Sequence, residues 1–403
     1  MTIPVPSSAP SRIARYLARY LGLRRNLLFL LAAIVLIGAG EELWMRFVPK
    51  YLESLGAGVF LIGLYDGLKT ALAALYAYPG GVLADRWGHR RALMFFTALS
   101  VAGYSVMLIP HPAAVFAGML LFLAWSNLSL PAMFSLVAVS VPPGKLAMGI
   151  GVQSLIKRVP IVVGPVLGGL LLDARGVAGG VRIGVAVSIL LGAVSLAIER
   201  RIDTTGLEPA AARSRFLGLW KQADPRLAPL LVSDILVRFC ERIPYAWVVI
   251  YAMDHLGVSA TQVGVLTAIE MITAMACYVP VAHYADRHGR EPFVVATFLF
   301  FTLFPLSLLV ARSFPLLVVA FVIRGLKEFG DSPRKALIVA YAPATARGQT
   351  VGAYYLIRDL VVSAGALIGA ATWKLGPEVN FWTAAALGAA GTLYWMRSTR
   401  GRV

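Results

Sequence analysis

Twelve runs of mostly apolar residues, at 26–48, 58–79, 91–110, 113–139, 148–171, 180–198, 228–252, 260–282, 291–311, 314–340, 349–372 and 380–397, leave this 403-residue chain little else to fold with. Each is close to the roughly 20 residues a helix needs to cross a bilayer. Inside hydrocarbon every backbone N–H and C=O must be satisfied within the segment, which selects helix. Only 14% of the residues are charged, against about 25% in soluble proteins. The pattern therefore predicts an all-α membrane protein with twelve transmembrane helices. One connection is long: 199–227, with "ERRIDTTGLEPAAARSRFLGLWKQADPR", where Pro, Gly and charge interrupt the apolar pattern. The expected parts are an amphipathic segment at 1–25, a six-helix unit at 26–198, the linker at 199–227, a second unit at 228–397 and a tail at 398–403.

The net charge of +17 would suit a nucleic-acid binder, but its placement points to a membrane. With the N-terminus inside, inward stretches carry 21 Lys and Arg and outward loops only Lys50, Arg175, Arg182, Arg312 and Lys374. Basic residues beside spans stay on the cytoplasmic side, so both termini and the linker are expected in the cytoplasm and the chain in the cytoplasmic (inner) membrane. The opening "SRIARYLARYLGLRR" gathers Arg12, Arg15 and Arg19 on one helical side, as an interfacial helix does. No small-residue cleavage site follows it, which argues against a signal peptide. Cys240 and Cys277 both fall inside spans and offer no disulfide framework. The five histidines lie mostly in or near loops, with no metal-ligand spacing and no nucleotide-binding loop. No enzyme chemistry, metal or cofactor is expected.

A charged knot, "GGVLADRWGHRRAL" from Gly80, interrupts the apolar runs, and "VAHYADRHGREPFV" repeats it from Val281. Asp85 and Asp286, Arg86 and Arg287, and Gly88 and Gly289 share one offset of 201 residues. The same offset pairs Gly56 with Gly257, Gly63 with Gly264, Pro79 with Pro280, Lys157 with Arg358 and Gly168 with Gly369. Six helices have been duplicated. Because six is even, the copies enter the membrane in the same sense, related by an axis along its normal, and can rock about a central site.

The first knot resembles the signature of the loop between the second and third helices of the major facilitator superfamily, a Gly-x-Leu-Ala-Asp-Arg-x-Gly-Arg-Arg pattern beginning at Gly81, with His89 where a basic residue is usual. The second knot has Glu291 and Pro292 at basic positions. The resemblance covers about residues 20–400 and implies two pseudo-symmetric six-helix bundles (the major facilitator fold) working by alternating access. It also implies a gate latch at Gly81, Asp85, Arg86, Gly88, Arg90 and Arg91, with a weaker copy at Asp286, Arg287 and Gly289. Physically, Asp85 suits the positive N-terminus of another helix. The fifth span carries Gly151 and a Gly164-Pro165-x-x-Gly168-Gly169 core similar to a signature of superfamily exporters, especially proton-coupled drug antiporters. Pro160 replaces a usual Gly there, and the fourth span lacks the antiporters' Arg. Small residues at this spacing also permit close helix packing with no further role.

Ionisable groups within the membrane cost several kcal/mol unless paired or hydrated, which makes them functional candidates. The resemblance sorts them, since the first, fourth, seventh and tenth spans usually line the cavity and the second, fifth, eighth and eleventh form the seam. The cavity group is Glu41, Glu42, Arg46, Asn127, Asp234, Arg238, Glu241, Arg324 and Glu328; the seam group is Lys69, Lys157, Arg158, Glu270, Arg358 and Asp359. Spacing of four predicts same-helix pairs for Glu42 with Arg46, Asp234 with Arg238, Arg324 with Glu328 and Lys327 with Asp331. Similar depth predicts cross-bundle pairs for Lys69 with Asp359, and for Lys157 or Arg158 with Glu270. Glu41, Glu42 and Asp234 are the candidate proton carriers. The expected function is secondary transport of a small organic molecule by a monomer in the lipid bilayer, exporting it in exchange for protons. Uptake of an organic anion and a nontransporting sensor on the same fold remain alternatives.

Overall fold

A computed structural model describes residues 25–129, 133, 146–202, 224–343 and 347–399, so the amphipathic opening and most of the linker lie outside the described residues. The side-chain environments of Gly81, Asp85, Gly151 and Asp286 also lie outside them. Among the described residues every regular element is helical. Six helices are long and apolar enough to cross a membrane: Leu28–Ser54, Val59–Tyr76, Ile156–Glu199, Ala260–Cys277, Glu291–Val310 and Gln349–Trp373. The third holds two spans, because the chain turns back at Gly176, whose φ of 71° suits glycine. His89–Met107 and Pro377–Thr399, together with segments 112–128, 227–255 and 314–341, complete twelve spans in the order the sequence predicts.

The last three segments and the first span are discontinuous, which the apolar pattern did not foretell. In the first span, Arg25–Glu42 gives way to a turn and a short 3-10 stretch before Val48–Ser54. The seventh stops at Arg242 and restarts at Trp247, with Pro244 between. The tenth stops at Leu326 and restarts at Asp331 across Lys327, Glu328, Phe329 and Gly330. The fourth loosens into a π-helical turn at Ala124–Leu128. Broken backbone at membrane depth is tolerated only where it is buried in protein or lines a cavity. The four interrupted spans are the four that the superfamily resemblance assigns to the cavity.

The duplication is visible in the backbone. Gly88, between the second and third spans, and Gly289, between the eighth and ninth, both have positive φ, 81° and 87°, a conformation that costs glycine little. The bundles meet through glycine. A Cβ on Gly169 would lie 2.4 Å from the Ala260 carbonyl oxygen, and one on Gly264 2.3 Å from that of Pro165, so the fifth and eighth spans touch backbone to backbone. Gly63 and Gly67 bring the second span close to the eleventh at Ala366, Ala370 and Ser363, where an added Cβ would lie 2.5 to 3.0 Å from the nearest atom. Within the first bundle, Gly164 and Gly168 seat the fifth span on Glu42 and Leu43, where the first span breaks. The exporter-like motif is thus the contact surface for both neighbours of the fifth span.

Candidate functional site

The breaks of the first, fourth and seventh spans border a cavity of about 400 Å³. The first span contributes Glu41 and Glu42, the second Lys69, the fourth Ser126 and Asn127, and the fifth Lys157. From the second bundle come Arg238, Glu241, Arg242 and Tyr245 of the seventh span and Arg358 and Asp359 of the eleventh. Glu41 is buried and accepts a 2.6 Å hydrogen bond from the Tyr104 hydroxyl. Among the described residues, neither Glu41 nor Glu42 has a cation within ion-pair distance, and neither Lys69 nor Lys157 has an acid. Asn127 donates to the carbonyl oxygen of Leu123 in its own loosened turn, at 3.2 Å.

The second bundle's charges are cross-linked. Asp234 is fully buried and receives both carboxylate contacts of Arg334, at 2.5 and 2.6 Å, with Arg358 at 3.3 Å, the Tyr354 hydroxyl at 3.1 Å and Arg238 at 3.7 Å. Both oxygens of this candidate proton carrier are committed to donors, which ties three spans together. Glu241 takes Arg238 at 2.7 Å and Lys327 at 2.6 Å. Glu270 takes Lys327 and Arg324, each at 3.2 Å. Buried charges need such pairing to offset lost hydration.

Several expected pairings are replaced. Arg324 and Lys327 reach Glu270 and Glu241 instead of Glu328 and Asp331, because the tenth span unwinds between them and a four-residue spacing aligns side chains only on an unbroken helix. The same reason separates Glu42 from Arg46, since the first span breaks between them. Arg46 instead lies 5.8 Å from the ring centre of Tyr245, which Arg242 and Arg324 also approach, at 4.7 and 5.7 Å. Asp359 pairs with its neighbour Arg358 at 2.7 Å and not with Lys69. Glu270 is neutralised inside its own bundle, so Lys157 and Arg158 face it across a second cavity of about 320 Å³, which Glu328 also lines. Only the Asp234–Arg238 pair stands as spaced, and it is the longest contact on Asp234.

The cross-bundle ties are ones the sequence reading missed. Arg242, at the seventh span's break, donates to both oxygens of buried Asp66 in the second span, at 3.2 Å. At the face opposite the termini, Asp173 accepts from the backbone N–H groups of Ala260 and Thr261, at 2.9 Å each, capping the eighth span from the other bundle. Lys50 pairs there with Asp254 across the bundles and with Glu53 beside it. No spacing rule links residues so distant in sequence. At the opposite, termini-bearing face, the side chains of Arg86, Arg90, Arg91 and Arg287 are exposed.

Comparisons with known proteins agree with this architecture. A profile described as Major Facilitator Superfamily matches residues 28–234 and 230–402. Among curated relatives, the multidrug resistance protein MdtG of Escherichia fergusonii is 25% identical over 305 residues, covering 72% of this chain and 72% of that one. A multi-drug resistance efflux pump PmrA homolog of Lactococcus lactis is 28% identical over 162 residues, 38% of this chain and 39% of its own length. The tetracenomycin C resistance and export protein of Streptomyces glaucescens is 33% identical over 112 residues, 28% of this chain, and the match spans only 21% of that protein. Among solved structures, a POT family transporter in complex with a thioalcohol conjugated peptide superposes with a TM-score of 0.78 at 14% identity, over 93% of this chain and 95% of that one. A human organic anion transporter gives 0.66 at 19% identity, over 92% and 99%. At such identity the structures speak for the fold alone. The profile spans both bundles with their shared seam and cavity, and the chain is therefore a member of the Major Facilitator Superfamily, a multi-pass membrane transporter.

Proposed function

We propose that this transporter exports a small organic molecule across the cytoplasmic membrane in exchange for protons. The observation that carries the reading is the pair Glu41 and Glu42, the two carboxyl groups of the cavity with no cation within ion-pair distance among the described residues. A buried carboxyl whose one described hydrogen-bond partner is the neutral Tyr104 hydroxyl is well placed to take or release a proton as water access alternates. The charge asymmetry supports a cytoplasmic setting for the termini-bearing face. Asp173, Lys50 and Asp254 then tie the bundles together at the outer face, the arrangement expected when the cavity is reached from inside. Export also draws on the curated relatives, named for drug resistance and efflux, and on the fifth-span motif at the seam.

Everted membrane vesicles test this. Respiration acidifies their interior, and an exchanger releases those protons when a substrate is added outside, which a pH-sensitive dye records. Lipophilic cations, organic acids, amino acids and sugars form the panel. The expected result is a response to at least one class that Glu41→Gln or Glu42→Gln abolishes while the protein stays folded. Proton release by no class, or release unchanged in both variants, overturns the reading, and a silent panel favours a sensor.

A further inference from the structure

Nine charged side chains line the central cavity, and five are already matched: Arg238 with Glu241, Arg358 with Asp359, and Arg242 with Asp66 behind it. The remainder, Glu41, Glu42, Lys69 and Lys157, all belong to the first bundle. They carry two charges of each sign from three different spans. Glu41 is engaged by Tyr104, which leaves Glu42 as the half-buried acid facing the two lysines.

Unused donors point the same way. The Arg242 Nε and the Ser126 hydroxyl, on residues that line this cavity, are buried without a hydrogen-bond partner. Buried polar atoms are ordinarily satisfied, and a cluster of unsatisfied donors marks where an acceptor-rich group belongs. A ligand with only positive charge would engage Glu42 but leave those donors and both lysines unmatched. One with only negative charge would leave the carboxylate unmatched.

We propose that the cavity takes a zwitterion, with its ammonium at Glu42 and its carboxylate or phosphate between Lys69 and Lys157. The assignment rests on reading this cavity as the substrate site and names the substrate class. The second bundle presents charges that already have partners, Arg242 through Asp66 of the first bundle, so the uncommitted charges that set selectivity lie in the first bundle alone. A cavity of about 400 Å³ is within the size of small-molecule sites.

Matched ligand trios decide it. Free L-phenylalanine, L-tryptophan and 4-(aminomethyl)benzoic acid are each compared with their methyl ester, a cation, and their N-acetyl form, an anion, by thermal unfolding of the purified full-length protein. On at least one scaffold the zwitterion is expected to stabilise at a concentration about tenfold below either derivative. Replacing both lysines, Lys69→Gln with Lys157→Gln, should transfer the preference to the ester, and Glu42→Gln should transfer it to the N-acetyl acid. Unfolding without ligand checks that each variant folds. An ester or N-acetyl form that equals or beats the zwitterion on every scaffold, no shift from any zwitterion, or a preference unmoved by the substitutions overturns the assignment. Proton release in everted vesicles is then run with whichever form binds. An ester that binds alone and releases protons removes the zwitterion but leaves the exporter reading standing.

Discussion

The two bundles descend from one repeat yet treat buried charge in opposite ways. In the second, Asp234, Glu241 and Glu270 are held by Arg334, Arg358, Arg238, Arg324 and Lys327 in contacts of 2.5 to 3.7 Å. In the first, Glu41 meets a phenol, and Glu42, Lys69 and Lys157 line the cavity without ion pairs among the described residues. A cross-linked carboxylate contributes rigidity and resists any change of partner. An uncommitted one is free to change its proton or its ligand. On the proposed reading the duplicated fold divides the work, with a stiff half against which a responsive half can move.

Neutralising one acid on each side gives the largest contrast. Asp234→Asn leaves Arg334 and Arg358 facing an amide in a fully buried site, and removing one member of such a cluster costs about 3–5 kcal/mol. Glu41→Gln keeps an oxygen for the Tyr104 hydroxyl and should cost about 1 kcal/mol. The expectation for transport is reversed: the stable Glu41→Gln protein loses proton coupling. Chemical unfolding in detergent gives both stabilities, and equal losses would erase the distinction between the bundles.

A cycle at the joint between them has a smaller expected effect. Asp66 and Arg242 form a 3.2 Å pair with one member in each bundle. Asp66→Asn, Arg242→Gln and the double variant should yield a coupling of about 1–3 kcal/mol in unfolding free energy, because buried partners in contact are not additive. Additive losses would mean that the bundles are held by glycine packing alone and that Asp66 belongs with the uncommitted charges.

How much of this was legible follows from which forces act locally. The twelve spans were readable because hydrophobic length is a property of each segment alone, and the duplication because Asp85 and Asp286 sit at one offset in the chain. The seam was readable through Gly169, since close backbone approach demands a missing side chain. Charge partners were not. The pairing of Lys327 with Asp331 assumed a helix that unwinds at that point, and the true partner, Glu241, is 86 residues away. Tyr245 drew no notice because one aromatic residue in an apolar run carries no signal, although three guanidinium groups gather at its ring. The latch expected at Asp85 lies outside the described side chains and stays a proposal from its motif.

The smallest energetic effect is expected at the face opposite the termini, where the bundles touch through exposed groups. Asp173 caps the eighth span across the interface, and removing a capping acceptor costs about 0.5–2 kcal/mol. Asp173→Ala should therefore lower global stability by no more than about 2 kcal/mol. The same amount weighs differently on a rocking equilibrium, because about 1.4 kcal/mol is a tenfold change in the ratio of two states. Spin labels at Ile109→Cys and Leu375→Cys, exposed positions in loops of the two bundles on that face, report the opening as a distance distribution. Buried Cys240 and half-buried Cys277 are the chain's own thiols, so a control without the new cysteines sets the background. Asp173→Ala is expected to add a longer-distance population, which Asp173→Asn restores in part, since its amide oxygen still accepts one of the two N–H groups. An unchanged distribution would show that glycine packing between the fifth and eighth spans holds this face shut without help, and the contrast between a stiff and a responsive half would then end at the cavity.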